Sequence, residues 1–443
     1  MAFDVFDSTI SLLTLMPLLA IFYWSTRSSP LAAVSLPCMT MLTSIVYFYM
    51  LPVVVLANGD TGYFGMYITN LMWSHIVVLL YALGAGWAFF VFRRILTANP
   101  ADPRPWDNNT YDPIYWMLWG VAGTGATAQI LLGKLNVMGS EKYEFAVDQI
   151  GEFAFLTQAY NMMVPLTIMF AIRDKFKRWT WVLLPIVLLI FLQAGFRFRI
   201  MLLLAGLGTA FALVHKFRIT TPFALGGLGV ALLLSNVIGT IRRYGQGVDI
   251  SALTDEKVEG LTTNVGGEFG LVYVLDYTVN NPLPDLVTFE PWLVAVARLI
   301  PSFLWPDKPT AEYVKYFWAG ATMEGADKAG IAATQHVEML LQFDWFGIFP
   351  LAFIYFSIAG IVLTAFFNQR REARIAGCAL APAFFGYYMQ TRGYFFQYFA
   401  DALFILGPLL ILDTGRHLVR NAADSRTFAQ TRRTSAASQR PPE

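Results

Sequence analysis

Long apolar runs recur along the whole chain and restrict its fold more than any other feature. About 20 apolar residues suffice for a helix to cross the hydrocarbon core of a bilayer, and such runs appear from residue 8 to residue 415. Only 14% of the 443 residues are charged, whereas soluble domains carry roughly 25%. The sequence therefore predicts an all-α, polytopic membrane protein. It excludes a secreted enzyme, a disordered chain and a soluble domain on a single anchor.

The hydropathy pattern predicts about eleven transmembrane helices. We expect them at 8–24, 31–57, 67–92, 113–134, 153–172, 179–194, 200–214, 219–240, 346–367, 375–390 and 402–415. They divide into an N-terminal bundle at 1–240 and a C-terminal group at 346–420. The long connection at 241–345 is predicted to be partly helical, because 268–279 and 290–305 are apolar enough to form helices at the membrane interface.

Lysine and arginine are concentrated in alternate connections, and this sets the expected orientation, since cytoplasmic loops are the richer in these residues. The basic residues after the odd-numbered helices are Arg27, Arg93, Arg94, Arg104, Arg173, Lys175, Lys177, Arg178, Lys216, Arg218, Arg370, Arg371 and Arg374. We expect a bacterial inner-membrane protein with the 241–345 connection on the periplasmic face and a cytoplasmic C-terminus, whose tail at 421–443 is predicted to be disordered. Acidic residues precede the first apolar run, so we expect that run to be retained rather than cleaved as a leader.

Several kinds of chemistry lack their usual residues. The chain has no phosphate-binding loop and no His-Glu-x-x-His, Gly-x-Ser-x-Gly or Asp-x-Asp sequence, which disfavours ATP hydrolysis, zinc hydrolysis, a hydrolase elbow and a metal-bound sugar nucleotide. The four histidines are scattered, and Cys38 and Cys378 lie in apolar runs, so no metal and no other cofactor is expected. The net charge of +1 gives no indication of a nucleic-acid partner.

Cations on the expected periplasmic face are the main functional signal. The positive-inside rule leaves that face poor in lysine and arginine, yet it carries Arg197, Arg199, Arg242, Arg243, Arg298, Lys308 and Arg392. Guanidinium groups bind phosphate in a bidentate manner, so we predict that these residues hold a lipid-linked diphosphate. The alternative for each is that it only anchors a helix end among the lipid headgroups.

Five residues of the long connection are candidates for proton transfer: Glu268, Asp276, His336, Glu338 and Asp344. We favour His336, Glu338 and Glu268. An unperturbed histidine titrates near neutral pH, and in an extended segment Glu338 would lie on the same side as His336. The glycines around Glu268 would let backbone approach a ligand closely. Surface histidines are common, so a structural role is the alternative for His336.

Aromatic residues of the same connection are candidates for stacking on sugar rings. We single out Trp305, Tyr313, Tyr316 and Trp318. The alternative is that they belong to the belts of Trp and Tyr that membrane interfaces enrich.

Three stretches together resemble the oligosaccharide repeat-unit polymerases, the Wzy-type O-antigen polymerase family. They are Gly195-Phe196-Arg197 with Lys216, Arg218 and Ile241-Arg242-Arg243; Arg298-Leu-Ile-Pro301 with Trp305-Pro306-Asp307-Lys308-Pro309; and His336-Val-Glu338 followed by Phe346-Gly347. Pro350 stands where a second glycine of the family is expected. The resemblance covers roughly 190–365, and O-antigen ligases share the same architecture.

The resemblance implies a GT-C-like, metal-independent membrane glycosyltransferase. Such an enzyme transfers a growing glycan from undecaprenyl diphosphate to a hydroxyl of a second lipid-linked repeat unit at the periplasmic face. Its expected partners are the donor and acceptor lipids, the surrounding membrane lipids, a flippase and a Wzz-type chain-length regulator.

Three alternatives stay open: a ligase that delivers the same glycan to another acceptor, a transporter or flippase for an anionic lipid, and a scaffold without chemistry. Transporters usually carry polar residues in mid-span. Few are expected here, such as Gln129, Gln193 and Asn236, which disfavours transport. A scaffold would leave the periplasmic arginines without a purpose.

Overall fold

The architecture is described from a computed structural model of the chain. It describes residues 8–28, 34–57, 66–100, 112–131, 158–193, 197–217, 266–281, 286–298, 300, 304–309, 313, 316, 334–369, 371–391 and 395–412. Within this part of the chain 87% of residues are helical and no strand is present, which confirms the all-α class. The predicted eighth span at 219–240 and the tail at 421–443 lie outside the described residues.

We number fifteen α-helices of the described residues in chain order. They are α1 Ser8–Ser28, α2 Leu36–Ile45, α3 Leu51–Ala57, α4 Leu71–Val91, α5 Arg93–Leu96, α6 Asp112–Leu131, α7 Met163–Arg173, α8 Arg178–Gln193, α9 Arg197–Val214, α10 Gly266–Asn280, α11 Glu290–Arg298, α12 Gln335–Phe367, α13 Arg371–Ala383, α14 Met389–Thr391 and α15 Phe395–Ile405. The 3₁₀ turn Ala159–Met162 precedes α7, and π-helical segments at Val46–Met50 and Phe384–Tyr388 connect α2 to α3 and α13 to α14.

Four stretches of the described chain are long and apolar enough to cross a membrane: Thr9–Arg27, Leu36–Leu56, Leu71–Val91 and Gln335–Phe367. Two shorter apolar helices, Arg178–Phe191 and Phe198–Val214, accompany them. These helices are consistent with the predicted protein of several membrane-spanning helices. Of the two stretches of the long connection predicted to be helical, 268–279 is covered by α10 and the first part of 290–305 by α11, which ends at Arg298. Residues 300, 304 and 305 are not helical.

Contacts between distant helices fix their relative directions. The rings of Trp73, near the start of α4, and Trp345, within α12, lie 5.6 Å apart. Farther along, a Cβ at Gly84 would overlap the carbonyl oxygen of Phe349. Residue numbers rise together in the two contacts, so α4 runs parallel to α12 after its first turns. Both were predicted as odd-numbered spans, and the parallel arrangement agrees with that alternation.

The second half of the bundle follows the same rule. Arg199 at the start of α9 bonds to Asn161 beside α7, and a Cβ at Gly206, seven residues later, would meet Ile168, so α7 and α9 are parallel. Phe198 stacks on Tyr388 with ring centroids 4.3 Å apart. The same Cβ at Gly206 would meet Leu380 of α13, so α13 is antiparallel to α9.

These directions bring the polar residues discussed below to one end of the bundle. We call the end that carries Asn70, Asn161 and Arg199 the network end. The opposite end, where α4, α7 and α9 end near Arg93, Arg173 and Lys216, is called the basic end.

A sharp break divides α12. Phe343 (φ −143°, ψ 23°) and Asp344 (φ 55°, ψ −157°) leave helical geometry. A Cβ at Gly347 would lie 3.3 Å from the carbonyl oxygen of Met339, whereas eight residues of a straight α-helix span about 12 Å. The chain therefore folds back at residues 343–344, and the predicted span at 346–367 corresponds to the part after the break.

The part of α12 before the break corrects one local prediction. His336 and Glu338 lie on a helix, not in an extended segment. Residues two apart on an α-helix are about 200° apart around its axis. The two side chains therefore point to different sides: His336 contacts the rings of Phe48 and Tyr81, whereas Glu338 bonds to Tyr313 and Phe395.

The two π-helical segments explain why polar side chains lie inside the bundle. A π segment disturbs the regular hydrogen bonding of a helix, and buried carbonyl groups need donors. His75 Nε2 donates to the Phe48 carbonyl oxygen over 2.9 Å, and Gln390 Nε2 donates to the Gly386 carbonyl oxygen over 2.6 Å. His75 is therefore the Nε2–H tautomer, and its Nδ1 accepts from the Ser11 hydroxyl at 2.8 Å.

This layer of polar side chains was not expected from the sequence. Gln335, His75 and Gln390 are all buried inside the bundle. The interior thus holds more polar residues than the few expected from the sequence, and that small expected number was the reason for disfavouring a transporter.

Candidate functional site

A buried cluster of polar side chains lies at the network end. Arg199 from the first turn of α9 is 1% exposed, and Asn161 from the 3₁₀ turn and Asp401 from α15 are 0% exposed. Tyr388, from the second π segment, completes the cluster and is also fully buried. Side chains from four elements thus form one cluster around this arginine.

Hydrogen bonds connect the cluster in a fixed order. Arg199 Nε donates to Asn161 Oδ1. Asn161 Nδ2 donates to Asp401 Oδ1 at 3.1 Å and to Gln158 Oε1 at 2.8 Å. The Tyr388 hydroxyl donates to Asp401 Oδ2. A buried charge is tolerated only when it is paired or hydrogen-bonded, and this arrangement provides partners for both the cation and the anion.

Aromatic rings fix the plane of the guanidinium group. The Arg199 Cζ atom lies 4.7 Å from the ring centroid of Tyr160 and 4.5 Å from that of Phe198. Cation–π contacts of this length strengthen when the cation is shielded from water. The side chain is therefore held both at its Nε and on its faces.

A second cluster surrounds Glu338, which is 1% exposed. Its carboxylate accepts from the Tyr313 hydroxyl at 2.7 Å and from the backbone N–H of Phe395, 3.0 Å from each carboxylate oxygen. Phe395 is the first residue of α15, where an N–H has no partner within the helix and the helix dipole favours negative charge. Glu338 thus fastens the beginning of the helix that carries Asp401.

Helix α11 packs along α15 and adds to this second cluster. The Trp292 ring is 4.1 Å from the Phe395 ring, and Trp292 Nε1 donates to Gln342 Oε1 at 2.9 Å. Trp292 and Phe395 both lie in the first turn of their helices, so α11 meets α15 near the N-terminal ends of the two helices.

His336 lies in a different environment from Glu338. It is 0% exposed, and its ring lies 4.8 Å from the ring of Phe48 and 4.1 Å from that of Tyr81. Neither ring nitrogen has a hydrogen-bond partner among the described residues. Tyr81 instead donates its hydroxyl to Gln335 Oε1 at 2.8 Å.

Asp276 joins α10 to the start of α4. Its carboxylate accepts from Thr69 N at 2.6 Å, Thr69 Oγ1 at 2.9 Å, Asn70 N at 3.3 Å, Ser74 Oγ at 3.4 Å and Asn280 Nδ2 at 3.1 Å. Burial raises the pKa of this carboxyl group above its usual value, while the hydrogen bonds from Thr69, Asn70 and Ser74 act in the opposite direction. The donors are used within the fold, so Asp276 has the contacts of a structural residue.

Among the predicted cationic residues, the structure places Arg199 in the cluster and Lys308 elsewhere. Lys308 Nζ donates to the Ile300 carbonyl oxygen at 2.8 Å, just beyond the end of α11. Only the backbone of Arg197 and Arg298 is described, at the first residue of α9 and the last of α11. Arg242, Arg243 and Arg392 lie outside the described residues.

The other predicted site residues are also separated. Tyr313 is 1% exposed and bonds to Glu338, whereas Trp305 is 36% exposed. Tyr316 is half-buried, and Trp318 lies outside the described residues. Glu268 is described only through its backbone, in the first turn of α10.

Sequence reasoning missed Asn161 and Asp401. A signal was present for Asp401, because it is the single charged residue of the apolar stretch 395–412, and an ionisable residue within such a stretch marks a functional site by default. For Asn161 no comparable signal exists, since its role depends on how α15 packs.

The described residues contain no group of three or more His, Cys, Asp or Glu side chains that could hold a metal ion. No protein-family model, curated protein or solved structure matches this chain.

Proposed function

We propose that the protein is a membrane glycosyltransferase that polymerises undecaprenyl-diphosphate-linked oligosaccharide repeat units into O-antigen, exopolysaccharide or capsule. The observation that carries the proposal is the buried Arg199, held by Asn161 and by two aromatic rings at the network end. An arginine inside a bilayer costs about 2.5–3.5 kcal/mol at mid-depth and less toward the interface. A cation that is held there despite this cost is suited to bind an anionic lipid headgroup at the same depth.

The reaction needs no outside driving force. Cleavage of the bond between the anomeric carbon and the diphosphate supplies the energy, while a hydroxyl of the acceptor glycan forms the new glycosidic bond. Negative charge then develops on the leaving undecaprenyl diphosphate, and fixed cations stabilise it. Arg199 supplies one such cation, with Arg197, Arg242, Arg243, Arg298, Lys308 and Arg392 as its proposed companions.

A base has to accept the proton of the attacking hydroxyl. Between the two described candidates the contacts favour His336, because both of its ring nitrogens lack a partner in the described residues. Glu338 already binds Tyr313 and Phe395, so we assign it to holding α15. Glu268 stays in the proposal as an acceptor-positioning carboxylate.

The finer architecture belongs to the same proposal. We propose about eleven spans in a GT-C-like arrangement in a bacterial inner membrane, with the network end facing the periplasm and the C-terminus in the cytoplasm. The basic end, which carries Arg93, Arg173 and Lys216, supports this orientation through the positive-inside rule. A flippase would supply the substrate, and a Wzz-type regulator would set chain length.

The test is a reconstituted polymerisation assay. Purified protein in lipid nanodiscs is supplied with undecaprenyl-diphosphate-linked repeat units, and the products are separated by size. Wild type should give a ladder of polymers, and Arg199→Lys should reduce the rate roughly 100-fold, because lysine keeps the charge but not the planar fork. Arg94→Gln, an exposed arginine at the basic end, is the matched control and should give the wild-type ladder.

The assay also separates the alternatives. A ligase would leave the lipid-linked units unpolymerised and would transfer them to lipid A core or to a protein acceptor. The buried layer of His75, Gln335 and Gln390, together with the two π segments, is a specific observation in favour of a transporter. A transporter reconstituted in sealed vesicles would move the lipid-linked substrate across the membrane without changing its length. That result would overturn the polymerase proposal.

A further inference from the structure

We propose that Asp401 is a positioning residue that acts through Asn161 to hold Arg199 in one orientation for binding the substrate diphosphate. This inference rests on the proposed function for its substrate. The orientation of Arg199 itself is tested below without reference to any activity.

The amide of Asn161 can face Arg199 in two ways. A side-chain amide has one acceptor oxygen and one donor nitrogen. The nitrogen of Asn161 serves two acceptors, Asp401 Oδ1 at 3.1 Å and Gln158 Oε1 at 2.8 Å. These two contacts determine which way the amide faces, and the oxygen is thereby directed at Arg199 Nε.

Asp401 is fully buried. Its two oxygens accept from different donors, Asn161 and Tyr388, so the carboxylate cannot rotate without losing one of them. Its helix is fixed at the other end by Glu338, through the backbone N–H of Phe395. Asp401 is thus held by its own contacts and by those of α15.

The value of this arrangement is energetic. A long arginine side chain loses rotamer freedom when it binds a ligand, and this loss weakens binding. Here Asn161 and the rings of Tyr160 and Phe198 hold the group before any ligand arrives. A preorganised cation also stabilises developing charge without rearranging during the reaction.

The chain offers a sharp test, because the two residues can exchange functional groups. In Asp401→Asn the carboxylate is lost, and Arg199 is left as a buried cation without that charge nearby. In the double variant Asn161→Asp with Asp401→Asn, Asp at 161 accepts from Arg199 and from the amide nitrogen of Asn at 401, whose oxygen accepts from Tyr388. The Gln158 amide, which accepts from Asn161 in wild type, has to turn so that its nitrogen donates to the new carboxylate. The exchange restores the order of the network and its net charge.

The first measurement is the ¹⁵Nε–H signal of Arg199 in nanodiscs, assigned by its loss in Arg199→Gln. We expect one slowly exchanging signal in wild type and in the double variant, and a fast-exchanging or broadened signal in Asp401→Asn. If Asp401→Asn leaves the signal as in wild type, or if the double variant does not recover it, the proposal is overturned.

The second measurement is the affinity for undecaprenyl diphosphate. Asp401→Asn should weaken binding about tenfold, and the double variant should recover it. In an Arg199→Gln background the same Asp401→Asn change should have no further effect, because its role passes through Arg199. Additive losses would indicate a merely structural role and would overturn the proposal. If wild type itself does not bind undecaprenyl diphosphate, the proposed function is refuted, and the signal of Arg199 alone decides whether Asp401 positions it.

Discussion

Replacing Glu338 distinguishes a general base from a structural carboxylate. Glutamine keeps the size of the side chain and removes both its charge and its ability to take a proton. If Glu338 is the general base, Glu338→Gln abolishes catalysis while the fold persists. If Glu338 instead holds the start of α15, the variant protein loses stability, and its activity falls only as far as the fold is disturbed.

The contacts of Glu338 set the expected magnitudes. Alanine would leave two buried donors without an acceptor, the Tyr313 hydroxyl and the Phe395 N–H. Each orphaned group costs about 1–3 kcal/mol, so Glu338→Ala should lower the free energy of unfolding by roughly 2–6 kcal/mol. Glu338→Gln keeps one oxygen, so one donor still finds an acceptor and the loss should be about 1–3 kcal/mol.

The assay is reversible unfolding of the purified protein in mixed micelles, combined with the polymerisation rate of the folded fraction. Tyr313→Phe is the matched control, because it removes one of the two donors and leaves Glu338 bonded to Phe395. It should cost about 1.5 kcal/mol, and Glu338→Gln should retain a measurable rate.

The reasoning is refuted if Glu338→Gln unfolds like wild type while polymerisation disappears. That outcome would make Glu338 the proton acceptor and would leave His336 without the role assigned above.

Three further predictions concern the fold. The backbone of Asp344 adopts φ 55° and ψ −157°, a conformation that is costly for residues other than glycine. Asp344→Gly should therefore raise the free energy of unfolding by about 1 kcal/mol. A decrease would show that the Asp344 side chain has a stabilising contact. Asp276→Asn should destabilise the protein. Because burial raises the pKa of Asp276, proton uptake favours the folded state, so the advantage of wild type in unfolding experiments should be largest below the pKa of an unperturbed aspartate, about 3.9, and should decline as the pH rises. Gly84→Ala should lower the free energy of unfolding by about 1–3 kcal/mol, since its Cβ would overlap the Phe349 carbonyl. Gly120→Ala is the control and should not lower it measurably, because nothing lies within 4 Å of the added Cβ. Equal effects would show that α4 does not approach α12 closely.

The sequence was informative wherever a single helix decides the outcome. Apolar length predicted the helices, and the alternation of basic loops predicted the relative directions that the pairs α4–α12 and α7–α9 display. Both signals are local: one counts residues within a run, and the other counts charges beside it. The short helices α10 and α11 were also visible as apolar stretches in the long connection.

The details of the site depend on contacts that a sequence does not display. Arg199 was a candidate because of its charge, but its partner Asn161 precedes it by 38 residues and Asp401 follows by 202, and only packing brings them together. The helix at His336 was mistaken for an extended segment because the break at Asp344 hides where α12 begins. Polar residues such as Gln390 looked incidental, since nothing in the sequence marks a π segment that needs a donor.

The contact between Gly84 and Phe349 has a consequence for how the protein is made. The two residues are separated by 264 others, and ribosomes add about 5–20 residues per second, so α4 has to wait roughly 13–53 s for its partner. During that interval the face of α4 around Gly84 is open to lipid or to any other small-residue surface in the membrane. Completion of this pair is therefore a late event in biogenesis, and a chain truncated before residue 345 would expose the face permanently to membrane quality control.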